Sequence, residues 1–222
     1  MRHPFLFKLS LTAFRTFETR ILDPVSDLLK RNLLVINQKA KLIELTDEYR
    51  VRDEEGNDIG YIREEGQSTL KKAARLLTDL DQFFTHRLAM YDKEGTKVVE
   101  LLRPRKVFKS RVEITDGEGR PVGVIVQQNV FGKKKFGLQS ATGEQLGQIN
   151  AENWRAWDFA IEDMTGQEVG RITKKWAGLL REGFTTADNY VLEITGGVSD
   201  DLRLMMLGSA AGVDLALKQD EN

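Results

Sequence analysis

The sequence predicts a mainly β protein: a closed antiparallel β-barrel of about twelve strands, built as a meander of hairpins around a hydrophobic C-terminal helix. Three observations lead to this prediction. A turn motif recurs five times along the chain, the residues beside it alternate between apolar and polar, and the last long stretch is apolar on nearly every side. One surface helix is predicted in addition.

The recurring motif is an Asp followed three positions later by a Gly, set between two short apolar runs. An Asp side chain can hydrogen-bond the backbone two residues ahead and so start a turn. The Gly accepts the positive φ that the end of such a turn requires. The five copies begin at Asp53, Asp92, Asp116, Ser140 and Asp163, with spacings of 39, 24, 24 and 23 residues. Ser140 is a weaker form of the same turn residue.

The runs beside the turns have the period of β-strands. In 111–114 and 122–126, apolar and other residues alternate, which indicates one buried face and one wet face. Each unit holds two strands, too few for a propeller blade, and the 39-residue spacing breaks a strict solenoid. Consecutive hairpins that close into a barrel fit best, with Leu33–Ile36 and Lys41–Leu45 extending the same sheet.

Two segments have the period of helices. Residues Ser68–Asp81 place apolar side chains at helical spacing opposite charged ones, which predicts the surface helix. Leu202–Leu217 is apolar nearly all round and should be enclosed, with small residues at Gly208 and Gly212. Its length of ~24 Å is short for a bilayer, and Asp214 makes spanning costlier. Insertion into a membrane is the alternative.

The division into domains follows from these patterns. Residues 1–30 are predicted to be an N-terminal amphipathic extension and 31–222 the barrel domain. Apolar residues between Phe5 and Leu22 mix with basic ones and show no pattern of a secretory signal. This extension is interpreted as a helix on the domain or a partner, or a frayed end; a helix lying on a membrane is the alternative.

Composition excludes several classes of function. The 222 residues include no Cys and two His, with 33 basic and 34 acidic side chains. Disulfide scaffolds, Cys nucleophiles and Cys-ligated metals are excluded, and two His leave little for a His-built metal site. Hydrolase, phosphate-loop and zinc spacings are absent. His86 is interpreted as a structural or exposed residue, with a proton carrier as the alternative. The balanced charge argues against nucleic acid as a partner.

Basic clusters beside aromatic residues are the candidate binding sites. Cations next to aromatics suit an anionic lipid surface, whereas the alternative is a solvated strand or turn. The candidate lipid- or anion-binding residues are Arg103, Arg105, Lys106, Lys109, Lys133, Lys134, Lys135, Lys174 and Lys175.

One stretch before the C-terminal helix resembles a known family. Residues Trp176 to Tyr190 read WAGLLREGFTTADNY. This is similar to the W-x-G-x-x-[KR]-E-x-[FY]-[TS]-D-A-D-N-[FY] stretch of phospholipid scramblases. The hairpin meander and the apolar helix resemble the tubby C-terminal-like fold that tubby proteins, plant LURP-one-related proteins and scramblases share. The chain resembles a bacterial-type member, without the Cys- and Pro-rich N-terminal arm.

The resemblance implies twelve antiparallel strands around a central helix. It also implies calcium-stimulated, non-selective movement of phospholipid between leaflets, with no covalent chemistry, so the chain is not expected to be an enzyme. The expected partner is a phospholipid membrane surface or anionic lipid, or a protein partner, with no nucleic acid. The expected location is cytoplasmic, peripheral on the inner face of the plasma membrane. The alternative function is a non-catalytic module that binds anionic lipid headgroups or a protein.

No cofactor is expected from the residues, and calcium is the alternative that the resemblance implies. The calcium segment of the family begins with an Asp, and Thr186 stands at that position here. Counted from Thr186, a twelve-residue calcium loop would end on Gly197, where an acid is needed. A role in capping or turns is therefore the expectation for Asp188 and Asn189. The candidate calcium residues are Asp188, Asn189, Asp200 and Asp201.

Overall fold

The computed structural model describes residues 26–38, 48–66, 85–104, 111–129, 135–153, 158–174 and 189–217. These ranges form twelve strands and two helices. In chain order they are α1 (Asp27–Lys30), β1 (Leu33–Gln38), β2 (Glu48–Arg52), β3 (Asp58–Glu64), β4 (His86–Asp92), β5 (Lys97–Arg103), β6 (Arg111–Asp116), β7 (Pro121–Gln127), β8 (Lys135–Ser140), β9 (Gln145–Asn153), β10 (Asp158–Asp163), β11 (Glu168–Thr173), β12 (Asn189–Ile194) and α2 (Asp200–Leu217).

The twelve strands form a closed antiparallel barrel. Each strand pairs with its neighbours in sequence, and β1 closes the barrel by pairing with β12. In that closing ladder Leu33 lies opposite Glu193 and Asn37 lies opposite Asn189. The predicted fold, a hairpin meander that closes on itself, is confirmed.

The five predicted turns share one hydrogen-bond pattern. At the third, the backbone N–H of Asp116 donates to the carbonyl of Arg120 at 3.0 Å, and the N–H of Gly119 donates back to Asp116 at 3.0 Å. Gly119 has a φ of 83°. The Asp116 carboxylate accepts the N–H of Arg120 at 2.8 Å. The strand register shifts beside the turn, as in a hairpin with a bulge.

The fourth turn keeps this pattern with a hydroxyl in place of the carboxylate. The Oγ of Ser140 accepts the backbone N–H of Glu144 at 3.1 Å. The prediction that Ser140 is a weaker copy of the same turn residue agrees with this longer contact.

The C-terminal helix lies inside the barrel, as predicted. It packs against β4 to β8 and against β12, and Met205, Met206 and Leu207 are at most 1% exposed. It begins at Asp200, two residues before the predicted start at Leu202. Ser199 explains the difference, because its Oγ accepts the N–H of Leu202 at 3.3 Å and caps the helix.

Glycines allow the helix and the barrel wall to approach closely. A Cβ on Gly208 would lie 2.7 Å from Cδ1 of Ile114 in β6. A Cβ on Gly170 of β11 would overlap Cε of Met206. A side chain at either glycine would therefore displace the end of a neighbouring core side chain, so glycine allows the close approach of helix and wall seen here.

Several predictions concern residues outside the described ranges. These are the strand Lys41–Leu45, the helix Ser68–Asp81 and most of the N-terminal extension. Leu28 of α1 is fully buried in the barrel core, three residues before the predicted domain boundary. The division at residue 31 stays a prediction.

Candidate functional site

The barrel has two ends with different connections. At the hairpin end lie the five tight turns and the start of α2. At the long-loop end, the strands are joined by six segments outside the described residues. These are 39–47, 67–84, 105–110, 130–134, 154–157 and 175–188. The three predicted basic clusters all belong to strands or connections of this end. We therefore take this end as the candidate site.

Polar side chains line the inside of the barrel at the long-loop end. Deeper in each strand the inward positions are apolar, as at Leu88 and Met90 of β4. Inward-facing positions recur every second residue along a strand. The inward position nearest the long-loop end therefore faces the barrel interior as well, whether it begins or ends its strand. We call this set the inner polar layer. It comprises Glu64 of β3, His86 of β4, Arg103 of β5 and Gln127 of β7.

His86 and Glu64 form a buried pair within this layer. Nδ1 of His86 lies 2.8 Å from Oε1 of Glu64, and the two side chains are 0% and 5% exposed. The interpretation of His86 as a hydrogen-bonded structural residue agrees with this geometry. The pair resembles the base and orienting acid of a catalytic triad. Both side chains are enclosed, so the arrangement fits a structural role better than contact with a substrate.

Arg103 lies inside the barrel, not on its surface. It is 1% exposed and sits opposite His86 in the ladder between β4 and β5. The sequence prediction grouped Arg103 with residues that bind a lipid surface. Its side chain is enclosed, unlike that of the exposed Lys135, and its role in anion binding stays a prediction.

Two further candidates are described at the same end. Lys135 is the first residue of β8 and is exposed. Lys174 follows β11, and its Nζ lies 5.2 Å from the centroid of the Tyr190 ring, a cation–π distance. The other six candidates, Arg105, Lys106, Lys109, Lys133, Lys134 and Lys175, lie outside the described residues.

The three calcium candidates that the structure describes do not all come together. Asn189 begins β12 at the long-loop end, and its side-chain oxygen accepts a hydrogen bond from the Asn37 amide. Asp200 and Asp201 are exposed in the first turn of α2, at the hairpin end. A six-residue strand of ~17 Å separates the two places. Asp188 lies outside the described residues, and within them no three His, Cys, Asp or Glu side chains form a possible metal cluster. Calcium binding stays a prediction.

A charged aromatic network covers the outer face of β3 to β5. The rings of Tyr61 and Tyr91 stack with centroids 5.1 Å apart, and the Arg63 guanidinium lies 4.5 Å from the Tyr91 centroid. Burial raises the pKa of the Tyr91 phenol, and its hydrogen bond to Glu65 adds to the shift. Burial opposes ionisation of Glu65, yet hydrogen bonds from Tyr91 and Lys97 hold its pKa below the usual value. The network satisfies its own charges, so we interpret it as structural.

The chain is similar to curated scramblase proteins. It is 26% identical to a phospholipid scramblase family protein of Schizosaccharomyces pombe, over 86% of this chain and 61% of that protein. It is 25% identical to human phospholipid scramblase 2, over 82% and 66%. It is also 24% identical to altered inheritance rate of mitochondria protein 25 of Saccharomyces cerevisiae, over 78% and 59%. The chain therefore spans less than two thirds of the length of these relatives.

Comparison with solved structures finds a protein from Arabidopsis thaliana. The TM-score is 0.49 with 12% sequence identity, and the match covers 86% of this chain and 98% of that one. In the part of the chain that the structure describes, none of the helices has both the length and the apolar character to cross a bilayer. The model of the Scramblase family matches residues 13–217, which is most of the sequence. This chain belongs to the scramblase family.

Proposed function

We propose that this chain is a lipid-interacting protein that acts at the cytosolic face of a membrane and moves phospholipids between leaflets. No covalent step is involved. The family match over residues 13–217 is the observation that carries the proposal. The names of the similar human and fission-yeast proteins support it.

Transport requires that the protein lower the free-energy cost of moving a lipid headgroup through the hydrocarbon core of the bilayer. Moving a charged group into an apolar medium is very unfavourable unless other polar groups compensate it. The exposed cations Arg111 and Lys135 stand at the long-loop end, where they can attract anionic headgroups. Each such cation contributes ~1 kcal/mol close to an anionic membrane. These groups support lipid contact; they do not by themselves define a path for the lipid.

The test of transport uses vesicles with a fluorescent phospholipid in both leaflets. A membrane-impermeant reagent that destroys the fluorophore removes the outer-leaflet signal at once. Transport by the protein exposes the inner-leaflet lipid as well, so the remaining signal should fall with time. The assay is run with calcium and with a chelator, and protein binding is measured in the same samples. Bound protein without a decrease of the protected signal in both conditions would refute transport.

The alternative is a non-catalytic module that binds anionic lipid headgroups or a protein partner. The position of α2 favours it, because Met205, Met206 and Leu207 fill the barrel interior. An occupied interior leaves the outer surface and the ends as binding regions. Co-sedimentation with anionic vesicles, without any transport in the fluorescence assay, would favour this function.

Stimulation by calcium and location on the inner face of the plasma membrane are also proposed. Calorimetric titration of calcium tests the first, with heat at micromolar concentrations as the supporting result. The second is tested by fractionation of cells and extraction of the membrane fraction with high salt. A peripheral protein should be released by salt, whereas release only by detergent would argue against this location.

A further inference from the structure

The short helix α1 lies at the hairpin end of the barrel and is not part of the sheet. Its Leu28 is fully buried and belongs to the hydrophobic core. Cδ1 of Leu28 lies 3.1 Å from the position that a Cβ on Gly60 would take, so this side chain reaches the wall at β3. The ring of strands is closed without α1, because β1 pairs with both β2 and β12. α1 therefore covers the core at this end without holding the ring together.

The helix α1 has little stability of its own. It has four residues, far fewer than the ~12 that an isolated helix needs to be even marginally stable in water. Within the described residues, the buried Oγ of Ser26 at its N-cap neither caps the helix nor has another hydrogen-bond partner. A buried polar group without a partner costs free energy, and water would satisfy it if α1 moved away from the barrel.

An arginine of α2 fastens the end of α1 to the rest of the molecule. Nη1 of Arg203 donates to the carbonyl oxygen of Arg31 at 2.9 Å, and Nη2 donates to Oδ1 of Asn32 at 3.1 Å. The Arg31 guanidinium in turn lies 3.7 Å from the carboxylate of Asp53 in the first turn. The two hydrogen bonds of Arg203 are charge-assisted and therefore stronger than neutral ones. We call these two bonds the latch.

The chain has a fixed point directly after α1. The backbone N–H of Ile194 in β12 donates to the carbonyl of Asn32 at 2.7 Å, and β1 begins at the next residue. From Asn32 onward the backbone is thus held by the sheet, whereas α1 is held by the burial of Leu28 and by the contacts of Arg31. A rotation of the backbone at residues 31 and 32 would move α1 away while all twelve strands stay paired.

We propose that α1 is a lid on the hairpin end of the barrel and that Arg203 latches it. The lid leaves in a local opening that breaks the bond of Arg203 to the carbonyl of Arg31 and exposes Leu28, while the strands and α2 stay in place. Local openings that expose few apolar groups require less free energy than global unfolding. The opening gives solvent access to the apolar interior beside the start of α2 without the separation of any strands.

Two single-cysteine variants test the opening, and the chain has no native cysteine to interfere. Leu28→Cys and Leu34→Cys replace two fully buried leucines, the first in α1 and the second in β1. A maleimide reaches residue 28 through the local opening, but it reaches residue 34 only when the sheet unfolds. Residue 28 should react at least about 100-fold faster, with little dependence on low concentrations of urea, because the opening exposes little surface. Equal rates with equal urea dependence would overturn the proposal.

Two further substitutions separate the latch from general destabilisation. Arg203→Met removes the latch and should speed the reaction at residue 28 about tenfold, which is the effect of one lost hydrogen bond to a charged group. Asp116→Ala is the control, because it weakens a turn that stays folded when only α1 leaves. It should speed the reaction at residue 34 and leave the reaction at residue 28 unchanged. If it speeds both reactions by the same factor, residue 28 is exposed only by global unfolding and the lid does not exist.

Hydrogen exchange of the wild-type chain gives an independent test, because it leaves Leu28 in place. The N–H of Leu29, which donates to the carbonyl of Ser26 at 2.9 Å, should exchange much faster than the N–H of Ile194. The exchange at Leu29 should become faster still in Arg203→Met. Protection of Leu29 equal to that of Ile194 would refute the local opening. If Leu28→Cys does not fold by circular dichroism, the exchange measurement decides alone.

Discussion

The hairpin end and the long-loop end of the barrel stabilise their polar groups in different ways. At the hairpin end the hydrogen bonds of a turn stay within five consecutive residues, as between Asp116 and Arg120. At the long-loop end the polar contacts connect residues that are far apart in sequence. Glu64 and His86 are 22 positions apart, and Asn37 and Asn189 are 152 apart.

This difference determines what a substitution should cost. The hairpin end contains the same type of turn five times, and these turns are partly solvated. The loss of one carboxylate therefore affects only one turn. The inner polar layer contains the buried pair of Glu64 and His86, and removal of one partner takes a polar contact away from a side chain that stays in the interior. We therefore expect equal chemical changes to have larger effects at the long-loop end.

The largest effect is expected for His86→Leu. Glu64 would lose a partner at 2.8 Å while it remains buried, and breaking such a pair typically costs about 3–5 kcal/mol. The double variant Glu64→Met with His86→Leu should regain most of this loss, because apolar residues of similar size can replace a buried pair. Denaturant unfolding measures both. A double variant as unstable as the single one would show that the pair is not the cause.

A smaller effect is expected for Asp116→Ala at the hairpin end. The carboxylate accepts the N–H groups of Glu118 and Arg120 and lies 2.6 Å from Nε of Arg120. Its loss should reduce the free energy of unfolding by about 1.5–2 kcal/mol. Ser140→Ala is the matched control, with an expected loss of about 0.5 kcal/mol. If the two losses are equal, the carboxylate adds nothing beyond a hydroxyl.

The smallest effect is expected from acid pH. The hydrogen bond from the Thr165 hydroxyl holds the pKa of Asp163 below its usual value. Burial raises the pKa of Asp53, but hydrogen bonds from Asn57 and Glu55 outweigh it and leave it lowered. The folded chain thus binds fewer protons at these groups than the unfolded chain. Their stabilisation is complete above the ordinary Asp pKa of ~4 and disappears as the pH falls below it.

Asp163→Asn tests this dependence, because an amide oxygen can still accept the turn hydrogen bonds without titrating. The denaturant midpoint of the wild type should decrease more between pH 7 and pH 3 than that of the variant. An identical decrease in the two proteins would assign the acid sensitivity to other carboxylates.

The features that the sequence predicted correctly depend on local interactions. Asp116 and Gly119 form a turn with each other, so their spacing alone indicates the hairpin. The apolar stretch that ends at Leu217 indicates an enclosed helix by its composition. The apolar pattern places its start two residues late, because Asp200 and Asp201 are polar and the cap at Ser199 leaves no apolar signal.

The features that the sequence did not predict depend on contacts between distant strands. The basic cluster beside Phe108 groups Arg103 with Arg105 and Lys106, although Arg103 shares the parity of the buried Val99 and Leu101. This alternation along β5 was the sequence signal that could have placed Arg103 inside the barrel. The calcium segment of the resembled family groups Asn189 with Asp200, yet β12 carries the chain from one end of the barrel to the other between them. The partner of His86 is beyond a long connection, and no local pattern identifies Glu64.

The closing ladder between β1 and β12 has a consequence for the order of events during synthesis. β1 can pair with β12 only after residues 189–194 have been synthesised. The core stays incomplete until α2 has also been synthesised. A nascent chain therefore holds a growing sheet with two unpaired edges and an uncovered apolar face. We expect slow, late folding in a single final step, with strong dependence on protection from aggregation until the last helix is in place.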